Sequence, residues 1–378
     1  MKAKWGISFL VMLSALAFLT INSYKNRIYD WDLPGYLACL YSLDYPNSSE
    51  KVHFLTYRSI KKEASAQQYK DISGLVIPNK AIQFFEKNAQ GLEEQIPYYK
   101  IKVGYNFVVS IFYSLGVSGP HSVLLVSIFS YFFSGVVLFC IFKVIFPENY
   151  ILAPLLTLGI LLLPTARFMS KSPSPDMLGF VFLLLFILAI IKKLNQWIIF
   201  SVLLITVLIR PDYIIFALTY LFMQIVFKFI KLNKNIDLSS IFQGLLLAGI
   251  YLCIVNYYEY PGWKDLFYDT FIQRRPLITA HLANFSFNDY LNILFNKLIN
   301  FKKVSLASTA ILGMIFYFSR NLWVRMISVF LFANIFIKFL IFPDSASVRF
   351  FFGFIILLFV VLMYSLSERY NGFKLNRN

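Results

Sequence analysis

The sequence predicts an all-α, polytopic membrane protein. We expect a single domain over residues 1–378: a bundle of about ten transmembrane helices with interfacial helices in a first large external loop and in a later one. Three observations lead there. Of 378 residues, 58% are hydrophobic and only 14% charged, with a mean hydropathy of +0.66, more apolar surface than a soluble core of this length can hide. Apolar runs of spanning length recur along the chain. Lys and Arg gather in alternate connections between those runs, the bias that fixes which loops stay cytoplasmic.

The first run, "MKAKWGISFLVMLSALAFLTINS", starts basic and continues apolar to Ile21. Ala15, Leu16 and Ala17 would allow a signal-peptide cleavage, but the run passes that point, so a retained anchor with a cytoplasmic N-terminus is expected. Further spans fall at about 121–145, 150–166, 176–191, 196–210, 212–230, 239–258, 304–319, 323–342 and 349–366. The stretch 103–116 is too short to cross. Its Val103, Phe107, Val108, Ile111, Phe112 and Leu115 share one helical face, which reads as an interfacial helix.

Leaving that stretch out makes the sidedness consistent. Lys2 and Lys4, Lys143, Lys192 and Lys193, Lys228, Lys231 and Lys234, Arg320 and Arg325, and Arg369, Lys374 and Arg377 all fall on the cytoplasmic side, in a plasma or inner membrane. Both termini are then cytoplasmic. The formal charge of +16 serves topology, because the bases form no stripe with interleaved aromatics, and nucleic acid is excluded as a partner. The three cysteines lack metal or redox spacing and read as small apolar fillers.

The same assignment gathers other charges on the outer face: Asp30 and Asp32, Arg167 and Lys171, Asp176, Arg210 and Asp212, Asp344 and Arg349. Two long external segments, 23–120 and 259–303, can cover them. The second carries amphipathic stripes, Trp263, Leu266, Phe267 and Phe271, then Phe287, Tyr290, Leu291, Leu294, Phe295 and Leu298. Each acid also has a plain structural reading. Asp32 would cap a helix over 33–43, and Asp176 and Asp212 would be first-turn acids favoured by the helix dipole. Lys338, in the outer half of a span, reads as snorkelling to the interface.

In order along the chain, Asp32 followed by Tyr36 and Ala38, "IPYYKIKVGYNFVVSIFYSLGVSG", "LLLPTARFMSKSPSPDMLGFVFLLLFILAII" and "SVLLITVLIRPDYIIFAL" resemble the GT-C superfamily of integral-membrane glycosyltransferases, of the protein-mannosyltransferase and aminoarabinose-transferase kind. "EYPGWKDLFYDTFIQRRP" and "FPDSASVRFFFGF" extend the likeness more loosely. The resemblance implies a GT-C-like bundle that transfers a sugar from a polyprenyl-phosphate donor to a lipid, glycan or protein acceptor at the extracytoplasmic face. By position it maps the general base onto Asp32, a supporting acid onto Asp30 and a second acid onto Asp176. It maps phosphate-holding bases onto Lys100, Lys102 and Arg349, with Arg274 and Arg275 behind them. Arg210 and Asp212 join the substrate site.

The chemistry suits those types. A hydroxyl attacks once a carboxylate takes its proton, and a departing lipid phosphate needs Lys or Arg. No cofactor is required, although paired carboxylates and phosphate could together hold a divalent cation. Polysaccharide polymerases or ligases acting on lipid-linked oligosaccharide, and lipid or sugar transporters, are the alternatives; transporters usually place their charges at mid-membrane depth.

Overall fold

A computed structural model describes residues 2–231, 237–344 and 348–373. Lys234, Lys374 and Arg377, and part of the expected loop "FPDSASVR", lie outside the described residues. Among the described residues every regular element is helical. Seven helices are long and apolar enough to cross a membrane, or eight if one bent pair counts as a single span.

The chain opens with α1 (Lys2–Lys25). Seven short helices follow, α2 (Leu33–Asp44), α3 (Ser49–Glu63), α4 (Ala66–Ile72), α5 (Lys80–Lys87), α6 (Ala89–Glu93), α7 (Pro97–Lys100) and α8 (Val103–Ser114). Side chains start several of them. Ser48 accepts from the Lys51 amide, Ser65 and Gln68 form a reciprocal capping box, and Asn79 and Asn88 satisfy the first amides of α5 and α6. The expected helix over 33–43 is α2, but Asp32 at its N-cap makes no side-chain capping bond; Pro34 in the first turn leaves fewer amides to cap. That frees the Asp32 carboxylate for other partners.

The rest is a bundle of α9 (Gly119–Ile145), α10 (Leu152–Leu161), α11 (Pro164–Lys171), α12 (Asp176–Ile191), α13 (Gln196–Ile209), α14 (Ile214–Lys231), α15 (Leu238–Tyr257), α16 (Trp263–Phe271), α17 (Phe287–Phe318), α18 (Leu322–Ile341) and α19 (Arg349–Arg369). One core joins α9, α12 and α19, and a second packs α2 and α8 onto the start of α9 through Leu33, Leu37, Tyr105, Val109 and Val123. Gly35 makes that second core fit. A Cβ there would stand 2.4 Å from the Tyr99 ring, so the ring lies directly on bare backbone.

Two expected boundaries are corrected. The run 150–166 is not one straight helix: α10 and α11 meet at 64°, because Pro164 has no amide hydrogen and its ring excludes a helical predecessor. The Leu161 carbonyl near the break accepts from the Tyr131 hydroxyl at 2.9 Å. The apolar stretch 287–298 is not a separate interfacial helix but the front of the 32-residue α17.

The described chain has two distinct ends. At one, Trp5 donates to the Pro147 carbonyl, Ser8 to Tyr150, and Asn149 to Phe373, with Lys143 over the Trp5 ring. At the other, Ile28 donates to the Lys171 carbonyl, and the starts of α12 and α19 meet the residue before α2.

Candidate active site

At this second end a cavity of about 780 Å³ opens between α2, the end of α13, the start of α19 and α18. Asp32, Asp176, Arg210, Asp212, Asp344 and Arg349, which the sequence assigns to one face from separate segments, all line it. Their charges alternate. Lys338 pairs with Asp212, Asp212 with Arg210 (3.2 Å), and Arg210 with Asp176; Arg349 then stands 3.7 Å from both Asp176 and Asp32. Local sequence sets each rung: Pro175 and Pro211 start a helical turn beside each acid, and Ser174 holds the second Asp176 oxygen at 3.2 Å.

The far end of this ladder is loosely tied. Arg349 has a buried Nε with no hydrogen-bond partner, and 3.7 Å is too long for a hydrogen bond to either carboxylate. Asp32 is partly exposed, and its other oxygen accepts from the Tyr99 hydroxyl at 3.3 Å. Lys102 donates to the Tyr36 hydroxyl at 2.7 Å and lies over the Tyr36 and Tyr99 rings. Withdrawal of its ammonium from water pushes it down to about 8, against the pull of Asp32. A carboxylate with unfilled hydrogen-bonding capacity thus faces an under-coordinated guanidinium and a readily neutralised amine.

Asp30 sits behind Asp32. It is buried, does not line the cavity, and accepts the Asp32 amide at 3.3 Å. Burial, and then the neighbouring Asp32 charge, push it up to about 8. Its raised affinity for a proton favours the fold at low pH, and that stabilisation is lost as pH rises through about 4 to about 8. Asp30→Asn removes this dependence, so its melting temperature should gain on the wild type across that window; parallel melting curves for the two proteins would show that Asp30 ionises freely in the fold.

The remaining expected residues separate. Lys100 lines a different cavity, with Glu93, Asn106 and Tyr258, because two residues along a turn point to opposite sides. Arg275, 3% exposed, is engaged by Asp265 and Asp269 and serves as a pin for the 259–286 segment. Arg274 reaches the large cavity and donates to Gln95 at 2.9 Å. Lys338 is the residue the sequence reading missed: its ammonium does not snorkel but meets Asp212 inside the cavity wall. Tyr98 and Tyr99 were visible only as a tyrosine pair in "IPYYK"; Tyr98 donates to Asp269 at 2.9 Å.

A divalent cation would need oxygen donors. Asp32 and Asp176 lie on either side of Arg349, Asp30 is turned to backbone, and no group of three or more His, Cys, Asp or Glu among the described residues is arranged to hold a metal ion. The donor set does not fit a cation held by the protein alone.

No family model, curated protein or solved structure matches this chain.

Proposed function

We propose that this chain is a membrane glycosyltransferase of the GT-C kind, moving a sugar from a polyprenyl-phosphate donor to an acceptor at the extracytoplasmic face. The observation that carries the reading is the uncapped Asp32 carboxylate sharing one cavity with Arg349, whose Nε lacks a partner. Asp32 takes the proton of the acceptor hydroxyl as its oxygen bonds to the sugar's anomeric carbon. The bond from that carbon to the phosphate oxygen breaks, and the electron pair leaves with the lipid phosphate, whose charge Arg349 and Lys102 stabilise. Away from this polar rim the wall turns apolar, with Ile214, Ile215, Phe216, Ile337, Leu340 and Phe354, which suits a lipid chain.

In this reading the bent pair and the shorter α12 and α13 also cross, giving ten passes, and the Lys/Arg-rich end faces the cytoplasm. In a background without native cysteines, Ser118→Cys and Lys171→Cys should then react with an impermeant thiol reagent added outside, and Leu194→Cys should not. Labelling of Lys171→Cys only from the cytoplasmic side would remove the outer site.

The direct test supplies membranes with labelled polyprenyl-phosphate sugars and follows consumption. Loss of donor label into product supports the reading. Consumption of lipid-linked oligosaccharide alone would assign a polymerase or ligase, and movement of intact donor across the bilayer would assign a transporter.

A further inference from the structure

Asp32 lines a second, smaller cavity of about 350 Å³ as well as the large one. It lies among α2, α5, the α6–α7 turn and residues 269–274. Two of its polar groups are buried without partners. Gln95, 2% exposed, uses its Oε1 to accept from Arg274, yet its Nε2 has no acceptor, and the Arg274 Nε has none either. Buried donors of this kind need an acceptor, which water or a bound molecule can supply. Trp31, Tyr57 and Tyr99 add flat aromatic surface to the same walls, and Trp31 is 59% exposed.

The charge of the walls selects among oxygen-bearing ligands. Among the described residues lining this cavity Arg274 is the one cation, and it stands against Asp32, since Asp269 is already paired with Arg275; no excess positive charge is left to hold an anion. Hydroxyl oxygens that accept from amide and guanidinium donors, carried on a ring with an apolar face for the aromatics, describe a neutral sugar. We infer that the smaller cavity binds a neutral sugar unit of the acceptor, placing one of its hydroxyls against Asp32. This rests on the glycosyl-transfer reading and narrows the acceptor to a molecule that carries a neutral sugar unit. The two cavities share Trp31, Asp32, Tyr99, Asp269, Thr270 and Arg274, so Asp32 is open to both.

The test measures binding apart from transfer. Purified protein in nanodiscs is titrated with methyl glycosides of glucose, galactose, mannose and N-acetylglucosamine, and with methyl glucuronide, followed by saturation-transfer NMR. At least one neutral glycoside should bind, in preference to the glucuronide. Trp31→Ala, at an exposed position that the fold does not need, and Gln95→Glu, which keeps the bond from Arg274 but replaces the orphan donor, should each weaken binding about tenfold. Failure of every neutral glycoside to bind, preference for the glucuronide, or unchanged binding in both variants would overturn the inference. A loss confined to Lys338→Met would place the sugar in the large cavity and overturn it too. If glycosides bind as expected while no polyprenyl-phosphate sugar is consumed, the transfer reading fails and the sugar site stands; transfer with an unchanged acceptor KM in Trp31→Ala and Gln95→Glu removes the site and leaves the transfer.

Discussion

Asp32→Asn is expected to lower sugar turnover by about 10²- to 10⁴-fold, the scale of general-base catalysis. The substitution isolates chemistry from architecture. Asn has the size of Asp and can still accept from the Tyr99 hydroxyl, and no capping bond is lost because the carboxylate makes none. What disappears is the carboxylate's charge: its ability to take a proton, and the long ion pair with Arg349 at 3.7 Å. Transfer from labelled donor, measured in membranes with matched amounts of each variant, checks this: near-normal turnover would sink the assignment of Asp32 as base. Asp30→Asn should be far milder at neutral pH, because burial already holds Asp30 toward its protonated form. A larger loss at Asp30 would move the base there.

Arg349→Ala is expected to reduce kcat/KM for the donor by about 10²- to 10³-fold, the range seen when a donor to developing negative charge is removed. The fold should tolerate the change. Arg349 makes no hydrogen bond through Nε, and its ion pairs to Asp32 and Asp176 are both 3.7 Å long. Arg349→Lys keeps the charge and loses the planar fork, so it should fall between wild type and Ala. Steady-state kinetics with donor varied would decide: a wild-type kcat/KM in Arg349→Ala, with expression intact, returns the residue to an interfacial anchor.

Much of this architecture was legible in the sequence, for reasons that can be traced to particular residues. Hydropathy locates the apolar helices because a buried or lipid-facing helix has no polar face, and the Lys/Arg bias gathers Asp32, Asp176, Arg210, Asp212 and Arg349 before any contact is known. What escaped was tertiary. Lys338 meets Asp212 across 126 positions, and nothing local distinguishes that ion pair from snorkelling. Whether Asp32 caps α2 depends on its rotamer, and Lys100 and Lys102 look equivalent until the α7 turn sends them to different cavities. The bend at Pro164 did have a local signal, a proline inside an apolar run, outweighed by the length of the run. The amphipathic stripe from Phe287 to Leu298 and the span at 304–319 read as two elements, yet α17 carries both, with Lys302 and Lys303 between them on long amphipathic stems that a helix at a membrane border tolerates.

The described wall of the large cavity holds Lys102, Arg210, Arg274, Lys338 and Arg349 against Asp32, Asp176, Asp212, Asp269 and Asp344, five of each sign, in a chain whose total is +16. Such a wall carries no net formal charge of its own, so it does not by itself draw an anion from a distance as a one-signed cleft does. For the phosphate of the proposed donor, capture would then be an exchange of partners at contact, taking a guanidinium from a carboxylate, and Arg349, held more loosely than Arg210, is the one expected to let go first. In the proposed reading, encounter then depends on how much donor the bilayer plane delivers by lateral diffusion, more than on attraction by the wall itself.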